Sequence, residues 1–235
     1  MTEQPTLFPL DRLELSFTPK PWDFAVKRRA EIEACFADLQ RQNPAIWNGR
    51  VLLLHHQVVR DGVFHGDYLE TDYASFAAWR HWGSPAAGVR DCFGAAAVVA
   101  RDGAILLGVM GPHTFNAGDI YFPSGTPDPG DISAGRVDLD FSVRRELKEE
   151  TGLDAAGFEV QPGWTCVVDG GLIVQVKTLR SVENAEDLRA RILAHLQREE
   201  QPELCDIVIV RSPRDFVPAM PRFIRAFLAQ HFSAR

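Results

Sequence analysis

The chain has 235 residues and a 46% hydrophobic content typical of globular proteins, and charged side chains interrupt its apolar runs before the roughly 20 residues needed to cross a bilayer. Its net charge of −7 and pI near 5.5 argue against a broad electrostatic footprint for nucleic acid. No charged-then-apolar leader opens the sequence, so a cytoplasmic protein without a membrane partner is expected. Cys35, Cys92, Cys166 and Cys205 form no Cys-x-x-Cys pair, and buried reduced thiols are expected in preference to a zinc site or a disulfide framework.

Residues 1–10 read as a short, polar, Pro-containing strand or tail. Across 22–39, Ala25, Ile32, Cys35, Phe36 and Leu39 recur at helical spacing, and Asn43-Pro44 ends the helix. Two β-rich runs, 51–59 and 63–69, flank Arg60-Asp61-Gly62, a hairpin signal because Asp-Gly tolerates positive φ. Residues 73–82 form a short aromatic helix closed by Gly83 and Pro85. A second hairpin is expected from 95–100 and 104–110 around Arg101-Asp102-Gly103. A strand over 118–123 leads into a Gly- and Pro-rich loop at 124–137, then a helix over 139–151 stopped by Gly152. Two strands flank Asp169-Gly170-Gly171, a helix covers 185–198, a strand 205–210, and a last helix lies around 222–232.

The chemistry concentrates in Arg145-Glu146-Leu147-Lys148-Glu149-Glu150-Thr151-Gly152-Leu153. At about 100° per residue, Glu146, Glu149 and Glu150 fall within roughly a 100° arc of one helix. Like charges at this spacing oppose one another, and near a helix C-terminus the dipole disfavours them too. A hard divalent cation, Mg²⁺ or Mn²⁺, resolves that conflict through carboxylate oxygens. Arg145 stands four residues before Glu149 and is placed to orient it. A solvated Glu/Lys-rich face is the plain alternative for the carboxylates taken alone.

The segment resembles the Nudix box, whose pattern is Gly, five residues, Glu, seven residues, then Arg-Glu-aliphatic-x-Glu-Glu-x-Gly-aliphatic. Arg145 to Leu153 match the second half, and Phe122-Pro123-Ser124-Gly125 resembles the approach to the box. The departures lie between them. Asp131 stands where the family has Glu, and thirteen residues separate it from Arg145, six more than the pattern has. Asp138 is a second candidate for the displaced acid, with a helix N-cap as its plainer role.

The resemblance implies an α+β fold, a Nudix α/β/α sandwich with a mixed central sheet over 93–235, preceded by an N-terminal α/β extension over 1–92. It also implies a Mg²⁺- or Mn²⁺-dependent diphosphohydrolase in which Glu146, Glu149 and Glu150 bind metal. The expected substrate is a small molecule, a nucleoside diphosphate linked to another moiety, with a nucleotide sugar or ADP-ribose type as first choice. A homodimer is a further expectation. A later acid is implied as metal ligand or general base, and Glu203 is chosen over Glu199 and Glu200. Tyr121, Asn116, Arg80 and Gly125 are the candidate substrate contacts. Phe115, Trp79, Trp82, Trp164, His113 and Arg90 are weaker ones, with core packing or surface pairing as the alternative. Two other functions stay open: a non-catalytic nucleotide sensor, and an isoprenoid diphosphate isomerase needing a cysteine opposite an acid.

Overall fold

The computed structural model describes residues 4–233, so the first three residues of the expected 1–10 segment lie outside the described part. The rest of that segment is a strand, β1 (Thr6–Leu10), followed by β2 (Arg12–Phe17). The expected helix at 22–39 divides at Arg28 into α1 (Asp23–Lys27) and α2 (Arg29–Gln42). Arg28 there leaves helical geometry (φ −112°, ψ 22°), and its guanidinium lies 4.0 Å from the Trp82 ring centre. The Asp-Gly hairpin follows as β3 (Arg50–Arg60) and β4 (Val63–Asp72), then α3 (Tyr73–His81), whose N-terminus is capped by Asp72.

The second hairpin is β5 (Asp91–Val99) and β6 (Ile105–Met110). The strand expected at 118–123 shortens to β7 (Ile120–Tyr121), and β8 (Ser124–Gly125) follows it. The loop at 124–137 is more ordered than expected: after a single 3-10 turn, β9 (Ile132–Ser133) and β10 (Arg136–Val137) form a small hairpin. Then come α4 (Leu139–Thr151), β11 (Glu159–Val160), β12 (Trp164–Asp169), β13 (Leu172–Arg180), α5 (Ala185–Leu196), β14 (Leu204–Val210) and α6 (Arg222–Ser233).

The architecture is α+β with two mixed sheets. The larger runs β1-β12-β13-β5-β6-β14, with β13 and β5 parallel and their neighbours antiparallel. Every residue of β5 is buried because both faces are covered. Phe93, Ala95 and Ala97 face Phe223, Ile224 and Phe227 of α6, while Ala96 and Val98 face Val143 and Leu147 of α4 and Leu188 and Ile192 of α5. Strand periodicity thus gives the sheet two cores and a helix layer on each side.

The smaller sheet runs β3-β4-β2-β10-β9. Val51, Leu53 and Leu69 on one face pack against Ile32 and Phe36 of α2 and Phe76 and Trp79 of α3. Leu52, Leu54, Phe64 and Tyr68 on the other pack against Cys92, Cys166 and Ile173 of the larger sheet. The sheets exchange strands across the middle of the sequence: β1 joins β12, and β10 joins β2. The additional residues between Gly125 and Arg145 thereby extend the smaller sheet. No helix among the described residues is long and apolar enough to cross a membrane. Of the four thiols expected to be buried, Cys92 and Cys166 are; Cys35 is half-buried and Cys205 exposed.

Candidate active site

Helix α4 is fixed at three points. Asp138 accepts the Phe141 backbone N–H (3.0 Å), which is the capping role weighed for it. Gly94 of β5 has no side chain where Val143 and Leu139 seat; a Cβ there would stand 2.5 Å from Val143 Cγ2. Gly152 ends the helix in the left-handed region (φ 69°), where its N–H reaches Lys148 O. With Val143 and Leu147 buried, the glutamate edge turns toward β8, which bridges to β5 through Gly125–Gly94.

The three glutamates differ in exposure. The Glu149 side chain is 62% exposed, that of Glu146 13%, and Glu150 as a residue only 6%. Burial raises the Glu146 carboxyl to about 7, with the nearby Glu149, Glu203 and Asp131 charges adding to the rise and Arg145 opposing it. Glu150 is pushed well above the carboxylate range by burial and by the Glu146 and Glu203 charges, against a hydrogen bond from the Ser124 backbone. Glu203 is exposed at the edge of β14, yet its charge acts on both. Glu199 instead pairs with His195 (3.0 Å).

Arg145 is the hub of the cluster. Its guanidinium reaches Glu146 at 2.8 Å, Glu149 at 3.3 Å and Asp131 at 3.2 Å, with Asp128 at 3.9 Å. The contact expected with Glu149 is present. The Asp131 side chain is fully buried and also accepts the Asp128 backbone N–H. Asp131, not Asp138, therefore stands with the box arginine.

No three His, Cys, Asp or Glu side chains among the described residues are gathered closely enough to hold a metal ion. The Arg145 guanidinium contacts both Glu146 and Glu149 instead. The donor chemistry nonetheless fits a hard divalent cation: the available groups are carboxylate oxygens, and no cationic side chain among the described residues pairs with buried Glu150.

Beside this edge lies a cavity lined by Arg80, Asn116, Tyr121 and Gly125, the four substrate-contact candidates, together with Asp91, Phe93 and Phe223 among others. Arg80 reaches it from α3 and donates to Asn116 Oδ1 at 3.2 Å. Phe115 lies under that guanidinium at 5.1 Å. Trp79 is core, Trp82 receives Arg28 and Trp164 receives Lys177; none of the three lines the cavity. Arg90 donates to Gly170 O, and His113 offers its carbonyl to Asn43. Asp91 escapes notice in the sequence, since it follows Arg90 at the start of an apolar strand and carries no motif.

Gly125 joins the cavity to the carboxylates. A Cβ on it would come within 2.5 Å of the Glu146 carboxyl carbon, so the backbone approaches the glutamate more closely than any side chain allows. In the hydrolase expected from the sequence, Gly125→Ala displaces the Glu146 carboxylate, the mobile end of a side chain, and lowers turnover about a hundredfold. Thermal melting is expected to stay close to wild type. A fully active Gly125→Ala protein would contradict this placement.

The raised carboxyls also set a pH dependence. Glu146 moves from 4.5 to about 7 and Glu150 moves in the same direction, so the folded chain keeps protons that the unfolded chain releases. Their stabilising effect is complete below about pH 4.5 and is lost as pH rises through about 7. In EDTA the melting temperature is expected to be lower at pH 8 than at pH 5.5, and Mg²⁺ is expected to narrow the difference. Equal melting at both pH values without metal would refute the buried-carboxylate account.

No protein-family profile matches the chain, and no curated protein matches it. Solved structures do. The MutT protein from Methanosarcina mazei Go1 shares 19% identity over 62% of this chain and 96% of its own, with a TM-score of 0.40. The Nudix hydrolase RenU from M. smegmatis shares 14% over 61% and 83% (TM-score 0.36), and a C. elegans Ap4A hydrolase 14% over 60% and 95% (TM-score 0.36). The chain is thus similar, at this distance, to Nudix hydrolases of known structure.

Proposed function

We propose that the protein is a Nudix-type, divalent-metal-dependent hydrolase. Its substrate is a nucleoside diphosphate linked to another moiety, of the nucleotide-sugar or ADP-ribose type, and cleavage at the diphosphate gives a nucleoside monophosphate and a phosphorylated product. The observation that carries the reading is the juxtaposition of Glu146, Glu149 and Glu150 on one helix edge with a cavity that shares Gly125 with them. Mg²⁺ or Mn²⁺ bound there offsets the carboxylate charge and supplies Lewis acidity toward phosphorus. The glutamates are the ligands, and Arg145 holds Glu146 and Glu149 in place. Glu203 is the proposed general base, since its charge acts on Glu146 and Glu150 from an exposed position. Arg80, Asn116 and Tyr121 bind the nucleoside side of the substrate, and Gly125 brings the cavity wall against the Glu146 carboxylate, so that the diphosphate end lies toward the metal ligands. No cysteine is among the described residues that line the cavity, so the isomerase alternative gains no support there.

The test is product identification from a panel of nucleoside diphosphate derivatives with Mg²⁺, with Glu149→Gln as control. Metal-dependent release of nucleoside monophosphate by the wild type alone supports the reading. Nucleotide binding without product would replace it with the sensor.

A further inference from the structure

We infer that Asp91 reads the base of the substrate by accepting a hydrogen bond from a ring N–H or exocyclic amine, an inference that rests on the nucleoside diphosphate reading above. Asp91 opens β5 and is only 4% exposed. Its Oδ1 has no hydrogen-bond partner among the described residues, and the residue lines the cavity. A buried carboxylate left unpaired costs several kcal/mol, and buried polar groups without partners are rare. Packing does not call for one here, since Cys92 and Phe93 next to it are core residues. Burial raises its carboxyl to about 6, eased by the Arg80 charge. Arg80 itself bonds Asn116 and makes no ion pair with Asp91. The carboxylate is therefore an acceptor awaiting a donor.

The surroundings define that donor. A phosphate is excluded, because it would meet a second negative group in a buried place. Phe93, Tyr121 and Phe223 contribute apolar walls, with Tyr121 and Phe223 packed edge to face at 5.6 Å between ring centres. Such walls accept a planar ring. Because Asn116 Oδ1 is held by Arg80, its Nδ2 is left to donate, so the cavity offers an acceptor at Asp91 and donors at Arg80 and Asn116. Nucleobases present matching donors and acceptors on adjacent edge atoms, and sugar hydroxyls do not demand the aromatic walls. Gly125 pairs with Gly94, three residues along β5 from Asp91, and leads toward the carboxylates, so the base lies at the Asp91 end and the diphosphate at the Gly125 end.

The experiment compares kcat/KM for UDP-, GDP-, ADP- and CDP-glucose with that for the same diphosphate on a base-less ribose. The ratio of the preferred nucleotide to the base-less compound is expected to fall about 10- to 100-fold in Asp91→Asn, the scale of one hydrogen bond to a charged group. An unchanged ratio, with or without a uniform loss of rate, overturns the inference. A second measurement needs no variant: methylating the base nitrogens that bear hydrogen in the preferred substrate should lower wild-type kcat/KM at least tenfold, and equal turnover would again overturn it. If no diphosphate is cleaved, the hydrolase reading fails separately. Calorimetry with the four nucleoside diphosphates then decides for Asp91 if base-selective binding vanishes in Asp91→Asn, and against it if selectivity is absent or persists.

Discussion

Glu150→Gln is expected to lower turnover about a thousandfold while raising the stability of the metal-free protein. Glu150 is buried, carries a carboxyl pushed well above its usual range, and faces the charges of Glu146, Glu203 and Glu149. Glutamine keeps the shape and removes both the charge and its proton linkage, so it relieves the conflict that the fold tolerates. The same change removes a proposed metal-ligand oxygen. A Lewis-acid contribution of several kcal/mol corresponds to a loss of about a thousandfold in kcat. Glu146→Gln and Glu149→Gln are expected to lose activity on the same scale. Stability is expected to change least for Glu149→Gln, because that side chain is largely exposed. Melting in EDTA and steady-state kinetics on one set of proteins check the pattern. A Glu150→Gln protein that is both active and destabilised would mean that the carboxylate is a structural group.

Arg145→Ala is expected to be the most damaging single change to the fold at this site. It strands Asp131, whose side chain is fully buried, and exposes Glu146 and Glu149 to each other without the guanidinium between them. Removing one partner of a buried pair costs about 3 kcal/mol or more. In a chain of this size that is a fall of roughly 6–12 °C in melting temperature. Arg145→Lys is expected to recover only part of it, since an ammonium cannot fork between Asp131 and the helix carboxylates. Adding Asp131→Asn to Arg145→Ala should restore part of the loss, with a coupling of about 1 kcal/mol or more in the double-mutant cycle. Strict additivity would show that the two side chains act independently.

Much of this arrangement is legible in the sequence, and the particular elements explain why. The sequence marks the helix Leu139–Thr151 at both ends, by Asp138 as cap and Gly152 as stop. The Asp-Gly turns fixed both hairpins because their backbone requires positive φ, as Asp61 and Gly62 show. The carboxylate edge followed from helical geometry alone. Strand β2 is hard to read although Leu13, Leu15 and Phe17 alternate, because it is six residues long and pairs in parallel with a distant strand. The hairpin at Ile132–Val137 looks like loop in the sequence for a related reason: two-residue strands carry no periodicity, and their pairing to β2 is non-local. The convergence of Arg80, Asn116, Tyr121 and Gly125 on one cavity arises from α3, a loop, β7 and β8, which only tertiary packing brings together. Asp91 left no trace in the pattern, since a single acid before an apolar strand usually marks a solvated strand end.

The α4 carboxylates are proposed to form a cation site that serves diphosphate cleavage. Crystals soaked with Mn²⁺ and a slowly cleaved nucleoside diphosphate analogue, read by anomalous scattering, address it most directly. Manganese peaks within coordination distance of Glu146, Glu149 and Glu150, with the Arg145 guanidinium withdrawn from Glu146 and phosphate oxygens alongside, are the expected result. An ordered nucleotide with no manganese at those glutamates, in crystals of a protein that still turns over substrate, would contradict it.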